Sequence, residues 1–513
     1  MLSGRIDLQS RELHLARRSH GHGTNQLVLE NNPFLQSITL RSDDVTHVLT
    51  FESTESSIAT VEDIELHSSG NSEERVATLI SKFDLLGCAF FALRLDGSPG
   101  KNLELSIRAS AYYPVPLYLL KSPDCVDIDW DIVRLLKTHR CTLDADYAKA
   151  IHAGTVPYGS STIAAEIKML PERSTAIINN TGVRIDAAPD AWLPARRSLK
   201  PGCDASMLLS DRLSAFVADR YKISPSIAVE VSGGVDSALL VALMKHRGLK
   251  PCSLGAVISE SNPNGPQTYR IAQIEERLQH EILRVGAWSL LDQTCRSVAD
   301  QYQPDAYGEY CYGAFGRLWD DFVRAGCVAI VGGYGGDELL LPSGSILTVN
   351  ESIGQYPERT ANFPAAVPIV SSSALLACAN HAPSLLRRGL WPIRPYCDPR
   401  LARFCYTLPD ASGKNKRVFK DALAAMSLAD LFHDGYLKES LSDLIRAATT
   451  SEKRPGEIDA VPGDPTHAGK VRPERIWLEE VTEKLLGISR AELEGLLKEG
   501  QLSSQARSRG SFW

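Results

Sequence analysis

Two short segments, about a hundred residues apart, carry the residue types needed to handle a nucleotide. The first, Val231-Ser-Gly-Gly-Val-Asp-Ser237, ends the apolar run Ile227–Val231. The second, Gly332-Gly-Tyr-Gly-Gly-Asp-Glu338, follows the apolar run Cys327–Val331. Each is a β-branched run passing straight into a glycine-rich turn that reaches an acidic residue, and the first turn leads into a helix. Bare backbone N–H groups and a helix N-terminus make a cradle for a pyrophosphate. Ser232 and Ser237 add hydroxyls beside Gly233 and Gly234. No lysine follows the turn, so it is not the Walker pattern, and the α-phosphorus stays open to attack. Asp236 and Asp337 are then candidate ligands for the magnesium that accompanies ATP. Together the two turns imply ATP used at its α-phosphate. A strand-to-helix turn with no ligand is the blander reading of the first segment alone.

The elements that must position these residues follow from the pattern. Residues 1 to about 200 read as mixed and strand-rich, with β-like runs at Gly87–Leu95 and Leu103–Arg108. Ala195–Cys203, with prolines, basic residues and a glycine, reads as a linker, and a helix over 205–220 follows. Strands at 226–231, 252–258, 282–285 and 327–331 alternate with helices, including 237–245 and 266–278. That rhythm predicts a parallel sheet whose ligands bind at the carboxyl ends of its strands. Beyond 340 the chain reads mainly helical, Thr450 to about Arg472 reads as a mobile loop, and Trp477–Leu497 as an amphipathic helix or helix pair.

Composition narrows the class. A chain of 513 residues, 43% hydrophobic and 23% charged, can bury two or three full cores. A net charge of −7 argues against bulk nucleic-acid binding. No apolar run reaches the roughly eighteen residues of a membrane span, and the start lacks the pattern of a signal peptide. The 11 cysteines are scattered and form no C-x-x-C pair, which is the usage of reduced buried thiols in a cytoplasmic protein. His14, His20 and His22 lack acidic or cysteine partners at ligand spacing and read as a solvated segment.

Ser232–Ser237 resembles the PP-loop of N-type ATP pyrophosphatases, and Gly332–Glu338 is similar to the matching turn of their asparagine synthetase-like branch. Pro395-Tyr-Cys-Asp-Pro399, with Leu408-Pro409, and Gly413–Ala422 resemble two further segments of that branch, the second from β-lactam synthetases. The resemblance covers roughly residues 80–440. It implies an α/β chain in three parts. Residues 1–200 form a degenerate glutaminase-like (Ntn-type) αββα sandwich, and 201–448 a PP-loop parallel-sheet α/β synthetase domain. Residues 449–513 form a mobile loop and helical extension. It also implies that Asp236 and Asp337 hold Mg2+, that Lys416 and Lys438 neutralise departing pyrophosphate, and that adenine lies near Val231, Ala256, Gly332 and Gly333. A solvated helix position is the alternative for Lys438.

The physical logic of such a site is that a carboxylate is a poor acyl donor until its oxygen is transferred to AMP, which an amine then displaces. Glutaminase relatives supply that amine through a cysteine exposed as residue 1. Here residue 2 is Leu2 and the first cysteine is Cys88, in an apolar run that reads as a buried thiol. The ammonia supply is therefore expected to be lost, as in β-lactam synthetases and lasso-peptide macrolactam synthetases, which close a ring within one substrate. Tyr334 matches the β-lactam synthetase tyrosine that helps deprotonate the amine, but no glutamate lies between Glu358 and Glu439 to partner it. Arg388–Pro395 resembles the lasso group, and ring closure on a peptide precursor, with a maturation protease and a leader-binding protein as partners, is the leading expectation. Glu338 and His381 are candidate local bases, with a helix-capping role for Glu338 and a surface loop for His381 as the alternatives. Intermolecular amidation, a tRNA-modifying enzyme and a non-catalytic ATP-binding protein are the rival functions.

Overall fold

The computed structural model describes residues 2–7, 14–17, 26–29, 32–42, 44–67, 71–97, 103–152, 158–187, 200, 202–257, 265–286, 312–340, 369–433, 478 and 481–498. The expected loop at 450–472, Lys438, His20, His22 and most of the expected linker lie outside them.

The N-terminal half holds two six-stranded sheets. The first contains β1 (Leu2–Asp7), β2 (His14–Arg17), β3 (Gln26–Leu29), β8 (Tyr118–Lys121), β9 (Cys125–Asp129) and β10 (Ile167–Met169), in the order β10-β8-β9-β1-β3-β2. The second contains β4 (Leu35–Arg41), β5 (Val45–Glu52), β6 (Phe90–Asp96), β7 (Glu104–Ala109), β11 (Thr175–Asn179) and β12 (Gly182–Asp186), in the order β12-β11-β7-β6-β5-β4. His14 thus opens an edge strand. Alternation along β6 explains the layering, because successive side chains face opposite ways. Phe91, Leu93 and Leu95 join Ile6, Leu119 and Val126 of the first sheet in one core. Phe90 and Ala92 instead meet Leu79 and Phe83 on helix α2 (Ser72–Leu86), which follows α1 (Glu55–His67). On the other side α3 (Ile132–Thr138) lies against β9, and α4 (Ala145–His152) follows. The layers therefore run helix, sheet, sheet, helix.

Glu172, just after β10, is buried and accepts a hydrogen bond from the Tyr158 hydroxyl at 2.5 Å. Burial pushes its carboxyl up to about 7, against the opposing effects of Tyr158 and Arg173. A folded-state value above the unfolded one means stability that is present below about pH 4.5 and lost as the pH rises to about 7. Glu172→Gln is expected to flatten that dependence, recovering on the order of 3 kcal/mol at pH 8 relative to pH 5. Denaturant midpoints of both proteins at the two pH values check this; parallel changes in the two would count against it.

The C-terminal half is built on one parallel sheet. β13 (Ile227–Glu230), β14 (Cys252–Val257), β15 (Leu283–Gly286), β16 (Ala329–Val331) and β17 (Trp391–Ile393) lie in the order β15-β14-β13-β16-β17. Ile227, Ala228, Val229, Ile330 and Val331 are fully buried, as continuous apolar strands are when helices cover both faces. The helices are α5 (Ala205–Tyr221), α6 (Val235–His246), α7 (Pro266–Leu278), α8 (Tyr312–Arg324), α9 (Gly336–Leu339), α10 (Ser372–Arg387), α11 (Pro399–Thr407), α12 (Asp410–Gly413) and α13 (Arg417–Ala424). Helical turns also occur at 481–485 and 490–498. Among the described residues no helix is long and apolar enough to cross a membrane.

Buried polar contacts join the halves. Arg220 on α5 grips Glu52 with two hydrogen bonds, Nε to Oε1 at 2.8 Å and Nη2 to Oε2 at 2.6 Å. Trp391 Nε1 donates to the same Glu52 Oε1 at 2.9 Å. Arg387 binds both oxygens of Asp131 at 2.7 and 2.6 Å.

Candidate active site

Strand order decides where a site can form. The chain lays β14 and β15 on one side of β13, then returns to place β16 and β17 on the other. Ligands of such sheets bind at the carboxyl ends of the strands beside the point where the order reverses, here β13 and β16. Both glycine turns leave the sheet there.

The first turn is closed by its own hydroxyls. Ser232 N–H donates to Ser237 Oγ at 3.0 Å, the two Oγ atoms are 3.1 Å apart, and Ser237 Oγ donates to Gly234 O at 3.2 Å. Helix α6 starts at Val235, two residues before the expected start, so Asp236 stands in its first turn. Gly233 has φ +72°, which side-chain-bearing residues rarely adopt. The turn's carbonyls are drawn onto α7: Gln267 Nε2 donates to Ser232 O and Arg270 Nε to Gly233 O, each at 2.8 Å. Both side chains are buried. Tying the carbonyls to protein donors turns their negative ends away from an arriving anion. Sequence reasoning missed this pair; the available signal was two polar residues three apart on the α7 face that also buries Ile271 and Ile274.

The second turn packs directly on the first. A Cβ on Gly336 would lie 2.7 Å from Asp236 Cγ. Lys416 completes the junction. Its Nζ lies 2.7 and 2.5 Å from the two oxygens of Asp236, and 2.6 Å from Asp337 Oδ1. Burial pulls this ammonium's pKa down, but Asp236 and Asp337 outweigh it and raise the value, so the group stays charged. Asn415 and Lys416 both have left-handed backbones, φ +52° and +55°. Such strain costs about 1–3 kcal/mol per residue and persists where the surroundings enforce it.

The other segments converge on the same place. Tyr396 stacks on Phe419 and donates its hydroxyl to Asp236 O at 2.8 Å. Tyr334 is half-buried in the second turn, its ring edge-on to His381 with centroids 4.6 Å apart. The surface loop allowed for His381 is corrected: it lies mid-helix in α10, 1% exposed, its ring also 5.7 Å from Phe315 and 5.6 Å from Trp319. Glu338 accepts from Ser373 Oγ at 2.8 Å, which ties it to the first turn of α10, and burial raises its pKa. The contact is to a side-chain hydroxyl; the helix itself is capped by Ser371, whose Oγ accepts from Ala374 N–H at 3.2 Å. Val231 is buried at the end of β13, Gly332 and Gly333 open the second turn, and Ala256 lies in the neighbouring strand β14.

Two carboxylates converging on one cation fit magnesium, which binds through one or two carboxylates and completes its shell with water and phosphate oxygens. Among the described residues no group of three or more His, Cys, Asp or Glu is arranged to hold a metal alone. Water or phosphate oxygens would supply the rest of the shell.

Cys88 lies between α2 and β6, 1% exposed, its thiol pushed up to about 12 by burial. A thiol held protonated is no nucleophile at neutral pH. Cys88→Ala is expected to leave turnover unchanged, measured as product formed per enzyme; a loss beyond that explained by a lower melting temperature would give the thiol a role.

No family model matches this chain, and no curated protein matches it. Among solved structures it is similar to a glutamine phosphoribosylpyrophosphate (PRPP) amidotransferase from B. subtilis complexed with ADP and GMP. The match covers 67% of this chain and 75% of that one, at 10% identity and a TM-score of 0.19.

Proposed function

We propose that this protein is an ATP-dependent, AMP-forming amide synthetase of the asparagine synthetase-like PP-loop kind. The observation that carries the reading is the meeting of Asp236, Asp337 and Lys416 between two glycine turns at the carboxyl ends of adjacent parallel strands. In the first step a substrate carboxylate oxygen attacks the α-phosphorus, the bond to the bridging oxygen breaks, and pyrophosphate leaves. In the second an amine attacks the acyl carbon, the acyl–oxygen bond breaks, AMP leaves, and the amine proton passes to a base.

Each residue has a task in this scheme. The amides of Gly233 and Gly234 would hold the pyrophosphate end, with Ser232 and Ser237 fixing the turn that presents them, and Lys416 would offset the charge that gathers on it. Asp236 and Asp337 would hold magnesium, which adds further neutralisation there. Tyr334, packed on His381, would orient the amine through its hydroxyl.

The amine comes from the substrate itself. Supporting this are the buried Cys88 and a helix–sheet–sheet–helix N-terminal half consistent with a glutaminase-like ancestor. Tethering the amine contributes about 7–11 kcal/mol when well oriented. The substrate class is a peptide with an acidic side chain that closes onto its own N-terminal amine, a lasso-type macrolactam. A maturation protease would expose that amine, and a leader-binding protein would deliver the precursor.

The test is incubation with ATP, magnesium and candidate acids, including processed peptides with an internal Asp or Glu. AMP, pyrophosphate and a product lighter by one water support ring closure. Turnover only with added ammonia or a second amine moves the answer to intermolecular amidation, and ADP with phosphate excludes adenylation.

A further inference from the structure

Arg394 follows β17, and its side chain is 1% exposed. Among the described residues neither Nη1 nor Nη2 has a hydrogen-bond partner, and a counter-charge, Glu230 Oε2, stands 3.7 Å from Nη1. The other Glu230 oxygen is already engaged, accepting from Trp319 Nε1 at 3.0 Å. Unpaired guanidinium N–H groups in an interior are costly, so the placement calls for a reason beyond packing.

Three contacts supply it. The guanidinium carbon lies 4.9 Å from the Tyr334 ring centroid, a cation over an aromatic face. Nη1 occupies the space a Gly332 Cβ would need, 1.8 Å from that point, so the second turn rests on the arginine. The backbone of Arg394 is held by the N-terminal half: its N–H donates to Tyr112 Oη at 2.9 Å. Tyr112 is buried in turn, with the Arg220 guanidinium 5.3 Å from its ring. An unbroken set of contacts thus runs from the Glu52–Arg220 pair through Tyr112 and Arg394 to Tyr334.

We propose that Arg394 is a positioning residue of the active site, braced from the N-terminal half by Tyr112, which fixes the Gly332–Tyr334 turn and the plane of the Tyr334 ring against His381. Its effect on turnover rests on the amide-synthetase reading; its hold on Tyr334 does not. The N-terminal half then has work to do without any glutaminase chemistry, because it braces the strand end from which Arg394 projects. Lysine at this position keeps a cation near the ring but lacks the flat guanidinium, and methionine keeps only bulk.

The experiment labels the protein with 3-fluorotyrosine and identifies the Tyr334 resonance by its loss in Tyr334→Phe. Arg394→Met is expected to shift that resonance, Arg394→Lys to shift it less, and Tyr112→Phe to shift it while keeping the ring that packs there. In the pyrophosphate and AMP assay, Arg394→Met is expected to lower the amide-forming kcat by about 10–100-fold with KM for ATP little changed, and Arg394→Lys to recover part of the loss. An unmoved Tyr334 resonance in folded Arg394→Met, or turnover no better in the lysine variant than in the methionine one, overturns the proposal. If Arg394→Met does not fold, an unmoved resonance in Tyr112→Phe overturns it instead. If the unaltered protein turns over no acid, the synthetase reading fails, and the resonance shift still decides the role of Arg394.

Discussion

Asp236→Asn is expected to lower pyrophosphate release from ATP by about 10²–10³-fold or more, because it removes one of two carboxylates that define the cation position. The change is nearly isosteric, so the turn geometry around Ser232 and Ser237 should persist. Asp337→Asn should lower activity comparably but differ in stability. The Asp337 side chain is 59% exposed and that of Asp236 only 15%. Exposed ion pairs contribute about 0–1 kcal/mol, so Asp337→Asn should barely move the melting temperature. Asp236→Asn leaves Lys416 buried with one partner and should lower it more. Steady-state pyrophosphate release and thermal melts of both variants check this. Wild-type rates in either would remove the carboxylate pair from the chemistry.

Arg220→Met is expected to destabilise the protein by about 3–5 kcal/mol, the cost of leaving one member of a buried ion pair behind. Glu52 is 0% exposed and Arg220 1%. Burial pulls the arginine toward neutrality, but Glu52 outweighs it and raises its pKa further. Glu52 would keep its bond from Trp391 yet lose both guanidinium contacts. Against a typical total of about 5–15 kcal/mol, a loss of this size leaves little margin. Arg220→Lys should recover less than half, since one ammonium cannot replace a two-point grip. Replacing both charges, as in Glu52→Leu with Arg220→Met, should cost less than the single change, because no lone charge stays buried. Urea midpoints of the three variants decide the order. A double variant less stable than Arg220→Met would contradict the account.

What the sequence showed and what it hid divide along physical lines. β13 and β16 were legible because strands buried on both faces are continuous apolar runs, and a glycine turn closes each. The meeting of Lys416 with Asp236 was legible only through resemblance, since no local pattern links residues this far apart. Gln267 and Arg270 were hidden because a polar pair on an amphipathic helix reads as its solvated face. His381 was misplaced for a related reason: α10 is buried on nearly every side, so it shows little amphipathic contrast, and Pro383 two residues later reads as a breaker. β2 and β3 are four residues each, too short for alternation to stand out, and β2 is the edge strand with β3 beside it.

The place of Lys416 in the chain also bears on how the molecule is assembled. Asp236 and Asp337 both emerge before Lys416 in synthesis and face each other with like charge, while the cation between them lies 180 positions beyond the first. Until that stretch arrives, the two carboxylates repel and the turns have reason to stay apart. Closing so long a loop costs chain entropy before any contact rewards it. The junction therefore gains its full set of charges only once Lys416 is in place. By mass action a ligand that bridges the two carboxylates would stabilise the closed junction further.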